Sequence, residues 1–95
     1  MNKIETIAYH QLKQGGYLVE KPRRNRFQPQ DFFYCWDFIA INKKEIRFIQ
    51  VSSIYLSQRS RADQQLMKEF QTPPNTKKEY GRWVQKNKEF IKETI

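Results

Sequence analysis

The sequence predicts an α/β protein of the mixed α+β kind, with one sheet of mixed strand direction and helices packed on it. Three observations carry this expectation. A helical-period apolar stripe opens the chain. Two apolar runs rich in aromatic and β-branched residues then flank a short polar break. A second helical stripe follows, with two further strand-like segments behind it. At 95 residues the chain makes one domain, residues 1–95. A domain of this size buries roughly 60–65% of the surface its unfolded chain exposes, which disfavours deep cofactor cavities and two-domain clefts.

From Asn2 to Gln14 the residues Ile4, Ile7, Ala8 and Leu12 fall on one stripe, the spacing of a helix. Gly15-Gly16 stops it, because glycine tolerates the left-handed cap conformation. Tyr17 to Val19 reads as a short strand ending near Pro22, and Arg23 to Asp31 (RRNRFQPQD) as a basic, proline-interrupted loop. Phe33 to Ile41 is a nearly continuous apolar run, Asn42 to Glu45 a polar break and Ile46 to Val51 a second run, which together predict a β-hairpin. Both of its faces are apolar, so it is expected centrally in the sheet with a layer on each side. Asp63 to Phe70 places Leu66, Met67 and Phe70 on a helical stripe, with Pro73-Pro74 and Asn75 in the connection after it. Glu79 to Gln85 and Glu89 to Ile91 read as strands around Lys86-Asn87-Lys88.

Composition narrows the function classes. Aromatic residues make up 15% of the chain, too many for a disordered segment. No apolar run approaches the ~20 residues of a membrane span, so no membrane partner is expected. The opening MNKIETIAYH lacks the apolar core of a signal peptide. The single cysteine, Cys35, forms no internal disulfide and reads as a buried small hydrophobe, and no cluster of Cys and His offers zinc. A small chain without disulfides fits a reducing, cytoplasmic compartment. Eighteen Lys and Arg against ten Asp and Glu leave a net charge of +8, which points to a polyanion, nucleic acid first and an anionic membrane surface second. The plainer reading is charge for solubility.

One residue breaks the hairpin pattern. With the turn centred on Lys43 and Lys44, Ile41 faces Ile46, Ile39 faces Phe48 and Asp37 faces Gln50. Ser52 shares that face, so Asp37, Gln50 and Ser52 form a polar cluster at one end of an apolar surface. A carboxylate between Trp36 and Phe38 needs partners. Either it hydrogen-bonds Gln50, Ser52 or a backbone amide, or it holds a divalent metal. Asp offers a hard anionic oxygen and Gln a neutral one, and Mg²⁺ accepts a few such ligands while keeping several waters.

A helix carrying Glu5, then Gly16-Tyr17-Leu18-Val19, a basic loop and the stretch WDFIAINKKEIRFIQVSS from Trp36 to Ser53 resemble the PD-(D/E)XK nuclease superfamily. The closest flavour is that of the small archaeal Holliday-junction resolvases and related phage or mobile-element proteins. The resemblance covers residues 4–85. It implies a restriction-endonuclease-like α-β-β-β-α-β core and Mg²⁺- or Mn²⁺-dependent hydrolysis of DNA. By motif, Asp37 takes the family's metal-binding Asp position, Gln50 its Glu position, Ser52 its Lys position and Glu5 the helix acid. The proline that often precedes the Asp is Trp36 here. Gln50 brings one negative charge fewer to the metal, and Ser52 brings no ammonium to orient water and offset developing charge. Lys44, Arg47 and Arg59 are the nearby cations considered for that missing role.

Lys21, Arg23, Arg24 and Arg26 concentrate positive charge in a short stretch, and Gln28 adds a neutral donor. Arg23, Arg24 and Arg26 suit phosphate contacts, and Phe27 suits stacking on an unpaired base, or else folds into the core. Lys44 joins this expected nucleic-acid surface. Lys77, Lys78, Arg82, Lys86 and Lys88 make a second basic region, equally readable as a solvated face. His10 has no paired ligand and reads as structural. The leading expectation is a DNA-binding, metal-dependent nuclease acting on branched or structured DNA, with a homodimer implied by the resemblance. The alternatives are a catalytically inactive module of the same fold that binds structured DNA or RNA, and a protein-interaction domain whose charge serves solubility.

Overall fold

The computed structural model describes residues 1–22, 31–33, 35–53 and 58–95, with the side chains of the last stretch described from residue 61 onward. In chain order the elements are α1 (Lys3–Gln14), β1 (Leu18–Glu20), β2 (Phe38–Ile41), β3 (Ile46–Ser53), α2 (Gln58–Glu69), β4 (Thr76–Val84) and β5 (Glu89–Thr94). The strands form one five-stranded sheet in the order β1-β2-β3-β4-β5. Pairing is antiparallel except between β3 and β4, which run parallel and are joined through α2. The expected mixed sheet with helices is thus the observed architecture.

α1 begins with reciprocal capping. Asn2 accepts a hydrogen bond from the Glu5 amide at 2.8 Å, and its side-chain nitrogen donates to Glu5 Oε1 at 3.3 Å. The helix ends at Gly15-Gly16, where Gly16 takes φ +88° as expected of a glycine stop. Its buried Ala8 and Leu12 pack on Phe38, Ala40, Ile49 and Val51 of β2 and β3. On the opposite face Met67 of α2 packs with Cys35, Trp36 and Tyr80, edged by Phe48 and Phe70. The hairpin register is the expected one, with Ile41 opposite Ile46 and Ile39 opposite Phe48. Beyond it, on the β1 side, cover thins and Leu18 is left 71% exposed.

The apolar run from Phe33 to Ile41 is not one strand. Pairing begins only at Phe38. Ahead of it, amides of Cys35 and Trp36 donate to the Phe32 carbonyl, and the Phe32 amide donates to the Trp36 carbonyl, closing a turn. Phe33 sits there at φ +53°. The aromatic residues of this run fill the space beside α2: Trp36 lies 5.8 Å from both Phe48 and Phe70, centroid to centroid. Apolar continuity reports burial, and buried turns share it with buried strands. Other boundaries lengthen. α2 begins at Gln58, in a polar first turn that an apolar stripe does not mark. β4 begins at Thr76, because it pairs with the whole length of β3, from Ile46 opposite Thr76 to Ser53 opposite Trp83.

Candidate active site

The strand directions bring the start of β2, the ends of β1, β3 and β4, and the N-terminus of α1 to one end of the sheet. Glu20 at the end of β1 lies opposite Ile39, and Asp37 immediately precedes β2. Glu5 hangs over the same end from the first turn of α1. The result is an open cleft of about 440 Å³ lined by Glu5, Glu20 and Asp37, with Lys21, Pro22, Phe38 and Met1 completing its wall.

Asp37 is 5% exposed and Glu5 7%. Asp37 binds across the β2–β3 ladder: its amide donates to the Ile49 carbonyl at 2.8 Å, and its Oδ2 accepts from the Val51 amide at 2.9 Å. Gln50 joins it. With its amide turned so that nitrogen meets the two acceptors around it, Gln50 donates to Asp37 Oδ2 at 3.0 Å and to the Cys35 carbonyl at 2.8 Å. The pairing of Asp37 with Gln50 read from the hairpin register is therefore present, and Gln50 meets Asp37 as a donor.

Ser52 is drawn elsewhere on the same face. Its hydroxyl donates to the Ser53 carbonyl at 3.0 Å and shares a short hydrogen bond with the Tyr80 hydroxyl. Since the one serine proton is used on Ser53, Tyr80 is the donor in that pair. Tyr80, 1% exposed and missed by sequence reasoning, is thus the buried β4 partner of Ser52.

Of the cations suggested as substitutes, Arg47 is engaged and Lys44 is distant. Arg47 forms a bidentate pair with Glu79, with Nη2 to Oε1 at 2.8 Å and Nε to Oε2, and stacks 4.9 Å over the Tyr17 ring. Its pKa is raised, the Glu79 hydrogen bonds being the main cause. Lys44 lies in the β2–β3 turn, at the other end of the hairpin from Asp37. Arg59 falls on α2, where its side chain is outside the described residues, as are Arg23, Arg24, Arg26, Phe27 and Gln28 altogether. Of the second basic region, Lys77 pairs with Glu45 at 3.0 Å, Arg82 pairs with Glu93, and Lys78 donates to the Met67 and Phe70 carbonyls at 2.9 and 2.7 Å. Lys86 and Lys88 remain exposed in the β4–β5 turn, and His10 is exposed with its ring edge-on to Tyr9.

Two further shifts follow from packing. Glu45 is held below the usual carboxylate range, first by the Tyr17 hydroxyl, which donates to it at 2.6 Å, and then by Lys77. Burial pushes the Cys35 thiol up to about 11, with Asp63 and Asp31 adding to it.

The donors around the cleft are hard oxygens, the kind Mg²⁺ and Mn²⁺ prefer. Among the described residues no three such side chains gather closely enough to enclose a metal ion. A cation held here would take one or two carboxylates and keep several waters. Glu20 was missed as a member of this cleft; the antiparallel register of β1 on β2 is the signal that would have found it. Compared with family models, with curated protein sequences and with solved structures, the chain matches none.

Proposed function

We propose that the protein binds DNA at this end of the sheet and hydrolyses its phosphodiester bonds with Mg²⁺ or Mn²⁺. The observation that carries the reading is the meeting of Glu5 and Asp37, far apart in sequence, in one open cleft beside Gln50. The net charge of +8 supports a polyanionic substrate, and Arg23, Arg24 and Arg26 follow directly on the cleft residues Lys21 and Pro22 in sequence. Asp37 and Glu5 would hold the metal directly or through its waters. When bound, the metal supplies Lewis acidity and a more acidic water. Hydrolysis joins the water oxygen to phosphorus and breaks the bond to one sugar oxygen, which leaves with a proton. The backbone bonds to Asp37 fix its carboxylate before substrate arrives.

A second reading, a binding module without catalysis, is favoured by Ser52: its proton is spent on Ser53 and no ammonium stands at its position. Cleavage of branched and single-stranded DNA in Mn²⁺ against EDTA separates the two. Asp37→Asn is the right control, because its amide oxygen can still accept from Val51 while the charge is gone. Metal-dependent cleavage lost in Asp37→Asn supports the enzyme. A mobility shift in EDTA without any cleavage supports the module, and neither signal leaves the interaction domain.

A further inference from the structure

We propose that Lys21 supplies the positive charge that position 52 lacks, meeting a non-bridging phosphate oxygen inside the cleft. The inference rests on the reading of that cleft as a phosphodiester site. Three carboxylates line it, and among its described lining side chains Lys21 carries the one positive charge. A diester entering the cleft gains from a cation placed beside its non-bridging oxygens. Arg47 is held by Glu79 through Nε and Nη2, and it stands near the start of β3, toward the other end of the sheet. Lys44 is at the wrong end of the hairpin, and Ser52 is tied to Tyr80 and Ser53. Lys21 has the position and the backbone for the task. It directly follows β1 in the antiparallel partner of the Asp37 strand, so it projects from the same end of the sheet. Pro22 after it disfavours helical backbone at Lys21 and keeps it extended, narrowing where the ammonium can go.

The test does not require turnover. Lysine amines are methylated in EDTA, with and without a single-stranded oligonucleotide, and read by mass spectrometry. Lys21 should be protected about fivefold or more, whereas Lys43 and Lys44, in the far turn, should change little. Lys21→Met should flatten the slope of log affinity against log salt by about 0.7, and Lys21→Arg should restore it. Removing a like charge beside the metal should also tighten Mn²⁺ binding by about three- to tenfold. Equal methylation of Lys21 with and without oligonucleotide overturns the proposal, as does a Lys21→Met slope equal to wild type. If Asp37→Asn binds Mn²⁺ as well as wild type does, the metal reading falls, while the protection result still decides Lys21. Failure of both the single-stranded oligonucleotide and a branched DNA to bind overturns both.

Discussion

Gln50 stands between two acceptors, the Cys35 carbonyl and the Asp37 carboxylate, and satisfies both with one amide nitrogen. Replacing it by Glu adds a negative charge and at the same time removes the donor. In the metal-free protein the new carboxylate would face another carboxylate and a carbonyl, a loss of about 1–3 kcal/mol. Proximity to Asp37 disfavours its ionised form, so its folded pKa would lie above its unfolded value. Stability of Gln50→Glu should then be fully present below the unfolded glutamate pKa and fall as pH rises through the folded one. Mn²⁺ should recover it at neutral pH. Thermal melts across pH, with and without Mn²⁺, measure this; a variant whose melting is indifferent to both would place no metal near residue 50. Cys35 gives a second check at this scale. Its pKa near 11 and its 1% exposure leave almost no accessible thiolate at pH 8. Thiol reagents should therefore label the native protein only at the rate at which it opens, and labelling as fast as that of a free cysteine would contradict the packing of the Phe32–Trp36 turn.

Among the elements, α2 depends on a residue that its own sequence does not contain. Lys78 of β4 donates to carbonyls of Met67 and Phe70 at the C-terminal end of the helix, satisfying acceptors that no helix satisfies for itself. Lys78→Met keeps the stem and removes the charged donor, and should cost about 1.5–3 kcal/mol, read as a lower denaturation midpoint. A change within experimental scatter would mean that water replaces the ammonium freely. Lys88 carries the opposite opportunity. It holds φ +51° in the β4–β5 turn, where an L-residue is strained, so Lys88→Gly should stabilise by up to about 1 kcal/mol in the same titration. These cases show what local pattern reveals. The span of the first helix, the glycine stop and the β2–β3 register were legible because each is decided by neighbours in sequence. The Lys78 cap, the Ser52–Tyr80 bond and Glu20 in the cleft were not, because each joins elements whose meeting is set by strand order. The Phe33–Ile41 run misled because burial in a turn and burial in a strand leave the same composition.

Across the whole molecule, the charge is less diffuse than a net +8 suggests. Arg47, Lys77 and Arg82 are paired with carboxylates, and Lys78 is spent on a helix end. The cations that remain include two groups, the first of them contiguous in sequence. One is Lys21 with the arginines that follow it; the other is Lys86 and Lys88 in the β4–β5 turn, with Lys92 farther along β5. β1 and β5 are the two edges of the sheet, so the cleft and the second turn share an end and stand apart by about 15–19 Å at the usual strand spacing of ~4.8 Å. That separation exceeds the ~8–10 Å over which salt screens exposed charges, so the groups act on different phosphates. Nucleic acid seated in the cleft should release counterions mainly through Arg23, Arg24 and Arg26. Replacing all three by Ala should flatten the slope of log affinity against log salt by about two to three units. Replacing Lys86, Lys88 and Lys92 should flatten it less, and a duplex broad enough to reach both groups should show a larger second effect than a single strand does. Titrations with both substrates over a salt series measure all four slopes. An arginine variant that keeps the wild-type slope would move the nucleic acid off this edge of the sheet, because a polyanion in the Glu5–Asp37 cleft has no other run of cations so near it in sequence.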